Sequence, residues 1–463
     1  MLNMIIFALL VFGLGIAVIK RPPVALAGIF CIFGLKQWAQ GTMPFFVQHG
    51  AIPNLCMGLL LLLGLTVKLV RGEPVLSPYP RVGWMCVLLF AYAALTLFWA
   101  PNPDKSASLM LLELPYFVTI IILAPLLISD LRDVRSVALG TIIFGGALAL
   151  LILLQVRWFN RMIVLATANW GNEGANPLAV AQMGGYLVLS AMLLQFRNLR
   201  VMGWLIRIGL TGLGLLLIVK SGSRGQFLSL LFILCMFVPM RQKVDSPLKL
   251  FAFLVSFSIV AGLALWLQSG FTTEATIHNR WTSERMFMDV FGRFHNLGIL
   301  LGIWASGSPG GLLFGLGNSA SFSFPQLGIY PHFVPGEILA EEGLLGIALY
   351  LGILSQCIGN IRSTYQLVRD NAEARSALAL FGAFLVYEFL ITLKQGSLIG
   401  NAMFFGMAIL IGRIRLIAEF EELPLPPEEE LASLDPQDQM ADDYAEGPEC
   451  ASEAQSLARS RCS

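Results

Sequence analysis

Residues 136–155 read SVALGTIIFGGALALLILLQ, twenty positions without a charge. At 1.5 Å per residue, a helix of that length covers about 30 Å, the thickness of a bilayer's hydrocarbon core. Apolar runs of 15–22 residues recur along the chain up to about residue 415. None alternates polar with apolar positions as a spanning β-barrel requires. Of the 463 residues, 56% are hydrophobic and 13% charged, about half the charge of an ordinary soluble protein. The fold class is therefore an all-α polytopic membrane protein.

Transmembrane helices are expected near 3–19, 22–35, 54–70, 82–99, 114–128, 134–155, 178–196, 203–219, 225–240, 248–267, 336–358, 376–393 and 398–414. The second run is short enough to be re-entrant, so the count is twelve or thirteen. Loop lysines and arginines set the orientation. Alternate loops divide them 18 to 10, and the richer set, with Arg21, Lys68, Arg135, Arg241 and Arg413, is expected in the cytoplasm. The N-terminus, all four histidines (His49, His278, His295, His332) and the longest loop, 268–335, then lie outside. Long loops tend to carry function, so the chemistry is expected to face away from the cytoplasm.

Composition divides the chain again near its end. Residues 416–463 hold 13 acidic and two basic side chains, a net −11, while the remainder holds 28 Lys/Arg against 16 Asp/Glu, a net +12. The acidic, proline-bearing stretch is expected to be a disordered cytoplasmic tail, a solubilising appendage to a membrane domain 1–415. Five cysteines lie in apolar runs and two, Cys450 and Cys462, in the tail, with no Cys-x-x-Cys. No disulfide framework and no zinc or redox motif is expected. The first run lacks a positive n-region and a small-residue cleavage site, which reads as a retained helix rather than a signal peptide.

Three outward features carry the candidate chemistry. In KSGSRGQF, 220–227, a turn of small residues feeds a helix between Lys220 and Arg224. Free N–H groups at a helix start beside two cations make an anion site involving Lys220, Ser223 and Arg224. The same pattern also fits a tight hairpin whose cations reach lipid headgroups. In the 268–335 loop, Arg280, Arg285 and Arg293 accompany two histidines, and Arg285, Asp289 and Arg293 share a helix face. Pairing with Asp289 accounts for Arg285 equally well. The glycine-broken stretch behind Arg293 reads as a helix lying on or dipping into the membrane. The third feature is YPHFVPGEILAEEGLLG, 330–346. Pro335 suits a first helical turn and Glu337 the positive end of the dipole. Glu341 and Glu342 lie one turn deeper, where a carboxylate needs a cavity or a cation. His332 is the one histidine flanked by such acids, a candidate general base.

No HExxH, Walker A loop or Gly-x-Ser-x-Gly elbow occurs, and the outer loops hold no Asp-x-Asp. Metal, cofactor and nucleotide chemistry therefore have little support. The outward cations are too few for nucleic-acid binding.

SGSRGQFL, then FGR followed by an apolar stretch and GLGN, then His332 nine residues before EEGLLG, together resemble the O-antigen ligase and O-antigen polymerase superfamily over roughly 215–358. The resemblance implies a metal-independent, GT-C-type glycosyltransferase of the bacterial inner membrane. Such enzymes move a glycan from undecaprenyl diphosphate to an acceptor hydroxyl at the periplasmic face. By motif, Arg224 and Arg293 match the diphosphate-binding arginines, His332 the proposed base and Glu341 the acidic position that orients His332 or an arginine. The family often has His-Asn where this chain has His332-Phe333. The acceptor decides between members: lipid A–core for a ligase, a lipid-linked repeat for a polymerase, a protein side chain for an O-oligosaccharyltransferase. The single large outer loop favours the ligase by resemblance. From other classes, Glu388 inside an apolar run beside Lys394 suits a lipid-linked glycan transporter or flippase, and the acidic tail suits a scaffold that recruits partners.

Overall fold

The computed structural model describes residues 1–422 apart from 76–78, 160–161, 168–173, 196–199, 243–245, 272–282 and 328–329. Its elements are α1 (Leu2–Lys20), α2 (Ala25–Thr42), a short α3 (Pro44–Gln48), α4 (Ile52–Val70), α5 (Arg81–Thr96), α6 (Pro103–Tyr116), α7 (Leu131–Gln155), α8 (Pro177–Leu193) and α9 (Arg200–Lys220). There follow α10 (Arg224–Gln242), α11 (Pro247–Phe271), α12 (Ser283–Ala305), α13 (Pro309–Phe314), α14 (Val334–Glu341), α15 (Gly343–Val368), α16 (Ala372–Thr392) and α17 (Ala402–Glu422). Among the described residues, ten helical runs are long and apolar enough to cross a membrane. The protein is thus a multi-pass helical membrane protein. Three further expected spans fall on α8, which at 17 residues is shorter, and on α11 and α17. Residues Met1–Ala418 form one compact unit. The first residues of the expected acidic tail, 416–422, continue α17, and the rest of it lies outside the described residues.

In an 18-residue window of Pro22–Thr42, 89% of the residues are buried, against 17% in α1, which turns its apolar face outward. α2 packs on α7, α4 and α8 and forms the centre of the bundle. The expected end at residue 35 is therefore too early. Lys36 and Gln37 continue the helix because they face a cavity inside the protein rather than lipid. α8 and α9 cross closely where Gly184 meets Gly214: a Cβ on either would stand 2.8 or 2.7 Å from the other's carbonyl oxygen. Small residues at such crossings let helix backbones approach in a membrane.

Two other boundaries differ from the sequence reading. The expected 114–128 helix begins eleven residues earlier, at Pro103. Asn102 caps it by accepting the Lys105 amide at 3.1 Å, with Pro103 in the first turn. After Pro115 it continues as a π-turn, Phe117–Leu123, and a 3-10 turn, Ala124–Leu127. The expected 336–358 helix is two helices, α14 and α15, broken at Glu342. Gly343 takes φ +68°, and residues 315–317 fill the break. The amides of Leu316 and Gly317 donate to the carbonyls of Ala340 and Glu341, both at 2.9 Å. A Cβ on Gly343 would lie 2.4 Å from the Gly315 nitrogen and the Leu313 oxygen, so this crossing requires glycine.

The sequence reading contains no sheet, yet three short strands pair antiparallel: β1 (Trp158–Phe159), β2 (Met162–Val164) and β3 (Gly174–Ala175). Trp158 faces Ile163 and Ile163 faces Ala175.

Candidate functional site

The turn between α9 and α10 differs from the expected anion nest. Ser221, Gly222 and Ser223 donate their amides to Leu217, Val219 and Ile218 at 3.0, 2.9 and 3.2 Å. Those N–H groups terminate α9, with Gly222 at φ +64°, and are not available to a phosphate. The Ser223 hydroxyl donates to Gln226 Oε1 at 2.7 Å, and Gln226 Nε2 donates to the Leu178 carbonyl at 3.1 Å. This pairing ties the start of α10 to the start of α8. Lys220 places its ammonium over the Trp158 ring, 5.2 Å from its centroid. Any anion binding here therefore rests on cationic side chains rather than on the backbone of the turn.

Arg224 opens α10. Its neighbour Gly225 lies under Lys394: a Cβ at 225 would stand 2.8 Å from Lys394 Cδ and 3.0 Å from its Nζ. Lys394 follows α16, and its field includes Arg293 and Glu388. Arg293 lies on α12, one turn before Leu297, which packs on α14 where Gly336 leaves room, 2.4 Å from an added Cβ. That seat brings Arg293 near His332 and Tyr330, both of which feel its charge. The structure thus draws Arg224, Arg293, His332 and Lys394 to one end of the bundle. Of the other expected residues, Arg280 and His278 lie outside the described residues, as does the Arg285 side chain, though its backbone belongs to α12.

His332 is half-buried at φ +61°, a backbone region that non-glycine residues seldom occupy. The Tyr330 ring meets it edge-on at 4.4 Å, and Tyr330 in turn contacts Phe322 at 5.8 Å. Burial, then the Arg293 charge, lower the imidazole's proton affinity below its usual range. The shift favours the neutral imidazole, the form that accepts a proton. The two other described histidines, His49 and His295, are exposed.

Of the three glutamates in the 330–346 stretch, Glu337 lies in the first turn of α14 as expected, while Glu341 has partners other than those expected. Glu341 accepts the amides of Ser319 and Ser321 at 2.7 and 2.8 Å, one on each carboxylate oxygen. It grips the 318–321 turn instead of orienting His332 or an arginine, because residues 315–317 bring that turn against the end of α14. Glu342 accepts the Asn318 side-chain amide at 3.0 Å. Glu337 accepts the Leu398 amide at 3.1 Å, and its second oxygen is buried without a hydrogen bond. Burial raises the proton affinity of all three carboxyls. Their bonds tie the α14–α15 junction to residues 318–321 and to Leu398.

A cavity of about 330 Å³ adjoins this cluster. Lys36, Glu113, Asn176, Gln182, Tyr330 and Glu388 supply much of its polar wall, and Phe33 and Tyr116 an aromatic one. One Glu388 oxygen accepts from Gln182 at 2.8 Å and Tyr186 at 2.7 Å. The side-chain oxygens of Gln37 and Gln395, also in the wall, have no partner. Hydrogen-bond acceptors beside aromatic rings suit a polyhydroxylated ligand. Glu113 also borders a second hollow, an apolar groove of about 280 Å³ between α5 and α6, lined by Val87, Phe90, Ala91, Ala94, Met110 and Phe117. Lys36, Glu113 and Gln182 lie outside 220–346, the span in which the sequence motifs place the chemistry. The signal that marks them is an ionisable or amide side chain within an apolar run. Among the described residues no three His, Cys, Asp or Glu side chains gather to hold a metal ion. No protein-family model matches this chain, and no curated protein matches it.

Proposed function

We propose that this protein is a metal-independent membrane glycosyltransferase of the O-antigen ligase type, moving a glycan from undecaprenyl diphosphate to lipid A–core at the periplasmic face. The observation that carries the reading is one juxtaposition. A half-buried histidine and an arginine stand beside a polar, acceptor-lined cavity, and that cavity meets an apolar groove at Glu113. A lipid-linked sugar matches both halves, its chain in the groove and its sugars in the cavity. Arg224 and Arg293 hold the diphosphate. His332 removes the proton of the acceptor hydroxyl as its oxygen attacks the anomeric carbon. The bond from that carbon to the diphosphate breaks, and the departing oxygen's charge falls on the arginines. In this scheme Glu337, Glu341 and Glu342 are positioning residues. A polymerase or a protein O-oligosaccharyltransferase would use the same step with another acceptor.

The test is transfer by purified protein from lipid-linked glycan to lipid A–core, with and without chelator. Full activity of His332→Ala removes the base from the scheme, and loss of activity with chelator refutes the metal-free reaction. The buried Glu388 of α16 favours a second reading, a lipid-linked glycan transporter. Cysteine labelling around position 388 from both membrane faces would support that alternative.

A further inference from the structure

Lys394 is absent from the diphosphate site that the motifs outline, yet it lies on the first turn of the helix that carries Arg224. Its side chain crosses the α10 backbone at residue 225, where anything larger than hydrogen would meet it within 3.0 Å. Two anchors hold the lysine there. Its amide and that of Gln395 both donate to the Ile391 carbonyl at 3.0 Å, which closes the end of α16. Glu337 fixes the following turn through Leu398. Arg293 faces the lysine from α12, and Glu388, the nearby acid on the preceding helix α16, spends one oxygen on Gln182 and Tyr186. Burial and the Arg293 charge pull the ammonium down to about 7. Gathering like charges in a half-buried place is unfavourable, and an anion of two or more charges relieves it.

We propose that Lys394 is a third cation of the diphosphate site, delivered to the start of α10 by the absence of a side chain at Gly225. The proposal rests on the glycosyltransferase reading for the ligand's identity, a lipid diphosphate, and adds a residue that contacts its phosphates. The competing explanation is that Lys394 only neutralises Glu388.

The test measures binding of farnesyl diphosphate and farnesyl monophosphate to the purified full chain in nanodiscs by calorimetry. Lys394→Met should weaken diphosphate binding about 10- to 100-fold, as loss of one charge-assisted contact implies, and weaken monophosphate binding less. Lys394→Arg should restore most of the affinity. Lys394→Gln keeps a polar side chain without the charge, so it should also weaken diphosphate binding. It decides the question should Lys394→Met fail to fold. Wild-type affinity in either folded variant overturns the proposal and leaves the lysine as a partner of Glu388. The outcome is separable from the transferase reading. Lysine-dependent binding without glycan transfer refutes the transferase alone, whereas transfer undiminished in Lys394→Met refutes the lysine's role alone.

Discussion

Glu337 accepts the backbone amide of Leu398 at 3.1 Å, joining α14 to the turn between α16 and α17 across 61 positions of sequence. The bond is buried, and the other Glu337 oxygen has no partner. Burial, reinforced by Glu341 and Glu342, holds this carboxyl toward its protonated form. A neutral amide therefore resembles the resident group. Glu337→Gln should change stability by less than about 1 kcal/mol, whereas Glu337→Ala leaves the Leu398 amide unpaired and should cost about 1–3 kcal/mol. Thermal unfolding of the two variants in detergent measures the difference.

Glu341 behaves differently because both its oxygens accept from amides. A glutamine has one acceptor oxygen and would point an NH₂ group at the second N–H donor. Glu341→Gln should therefore destabilise by about 1–3 kcal/mol and reduce transfer through loss of the 318–321 turn. Since burial raises this carboxyl to about 7 in the fold, above its unfolded value, its protonated form favours folding. Its contribution to stability is then full below about pH 4.5 and declines as pH rises toward 7. Comparing unfolding of the wild type and Glu341→Gln at about pH 4 and pH 8, on either side of that range, reads the slope.

The membrane class was legible because hydrophobic length is a property of the run itself, and residues 136–155 need no partner to be read. The break at Glu342 was not legible. It depends on residues 315–317 reaching the α14 carbonyls, and nothing in EEGLLG alone specifies that approach. His332 and Arg293 stood out as polar groups beside apolar runs, and the structure brings them near each other. The turn at 221–223 misled, since its small residues suggested open amides that α9 in fact consumes. Lys394 was readable as an outer cation, but its position over Gly225 comes only from the packing of α16 on α10.

Gly343 provides a backbone test of the break. Its φ of +68° disfavours any side chain, and a Cβ would strike the backbone of Leu313 and Gly315 at 2.4 Å. Neither contact is a flexible side-chain end that can move aside. Gly343→Ala should cost more than the roughly 1 kcal/mol of an αL alanine alone. The expected result is a lowered Tm, with loss of transfer through displacement of the turn gripped by Glu341.

The acid limb of the pH–rate profile tests His332. The base acts when neutral, so transfer falls as pH drops through its pKa. Burial and Arg293 place that pKa below the usual imidazole value, and the limb should lie below about pH 6.5. Arg293→Met removes the second cause, so the limb should move upward as well as the rate falling. His332→Ala should lower kcat by about 10²- to 10⁴-fold. An acid limb that stays in place in Arg293→Met would separate the arginine from the base.

The groove between α5 and α6 gives the last prediction. Ala91 and Ala94 line it together with Val87 and Phe90, and Glu113 marks where it opens into the polar cavity. Replacing Ala91 with tryptophan fills the hollow without touching the cavity wall. If the groove seats the lipid chain, Ala91→Trp should raise KM for a long-chain donor and leave a short-chain analogue nearly unaffected, because only the long chain reaches the groove. Burying apolar surface is worth about 25 cal/mol per Å², so excluding even one isoprene unit should be measurable in KM. Equal effects on both donors would instead indicate distortion of α5, and no effect on either would place the chain elsewhere on the membrane-facing surface.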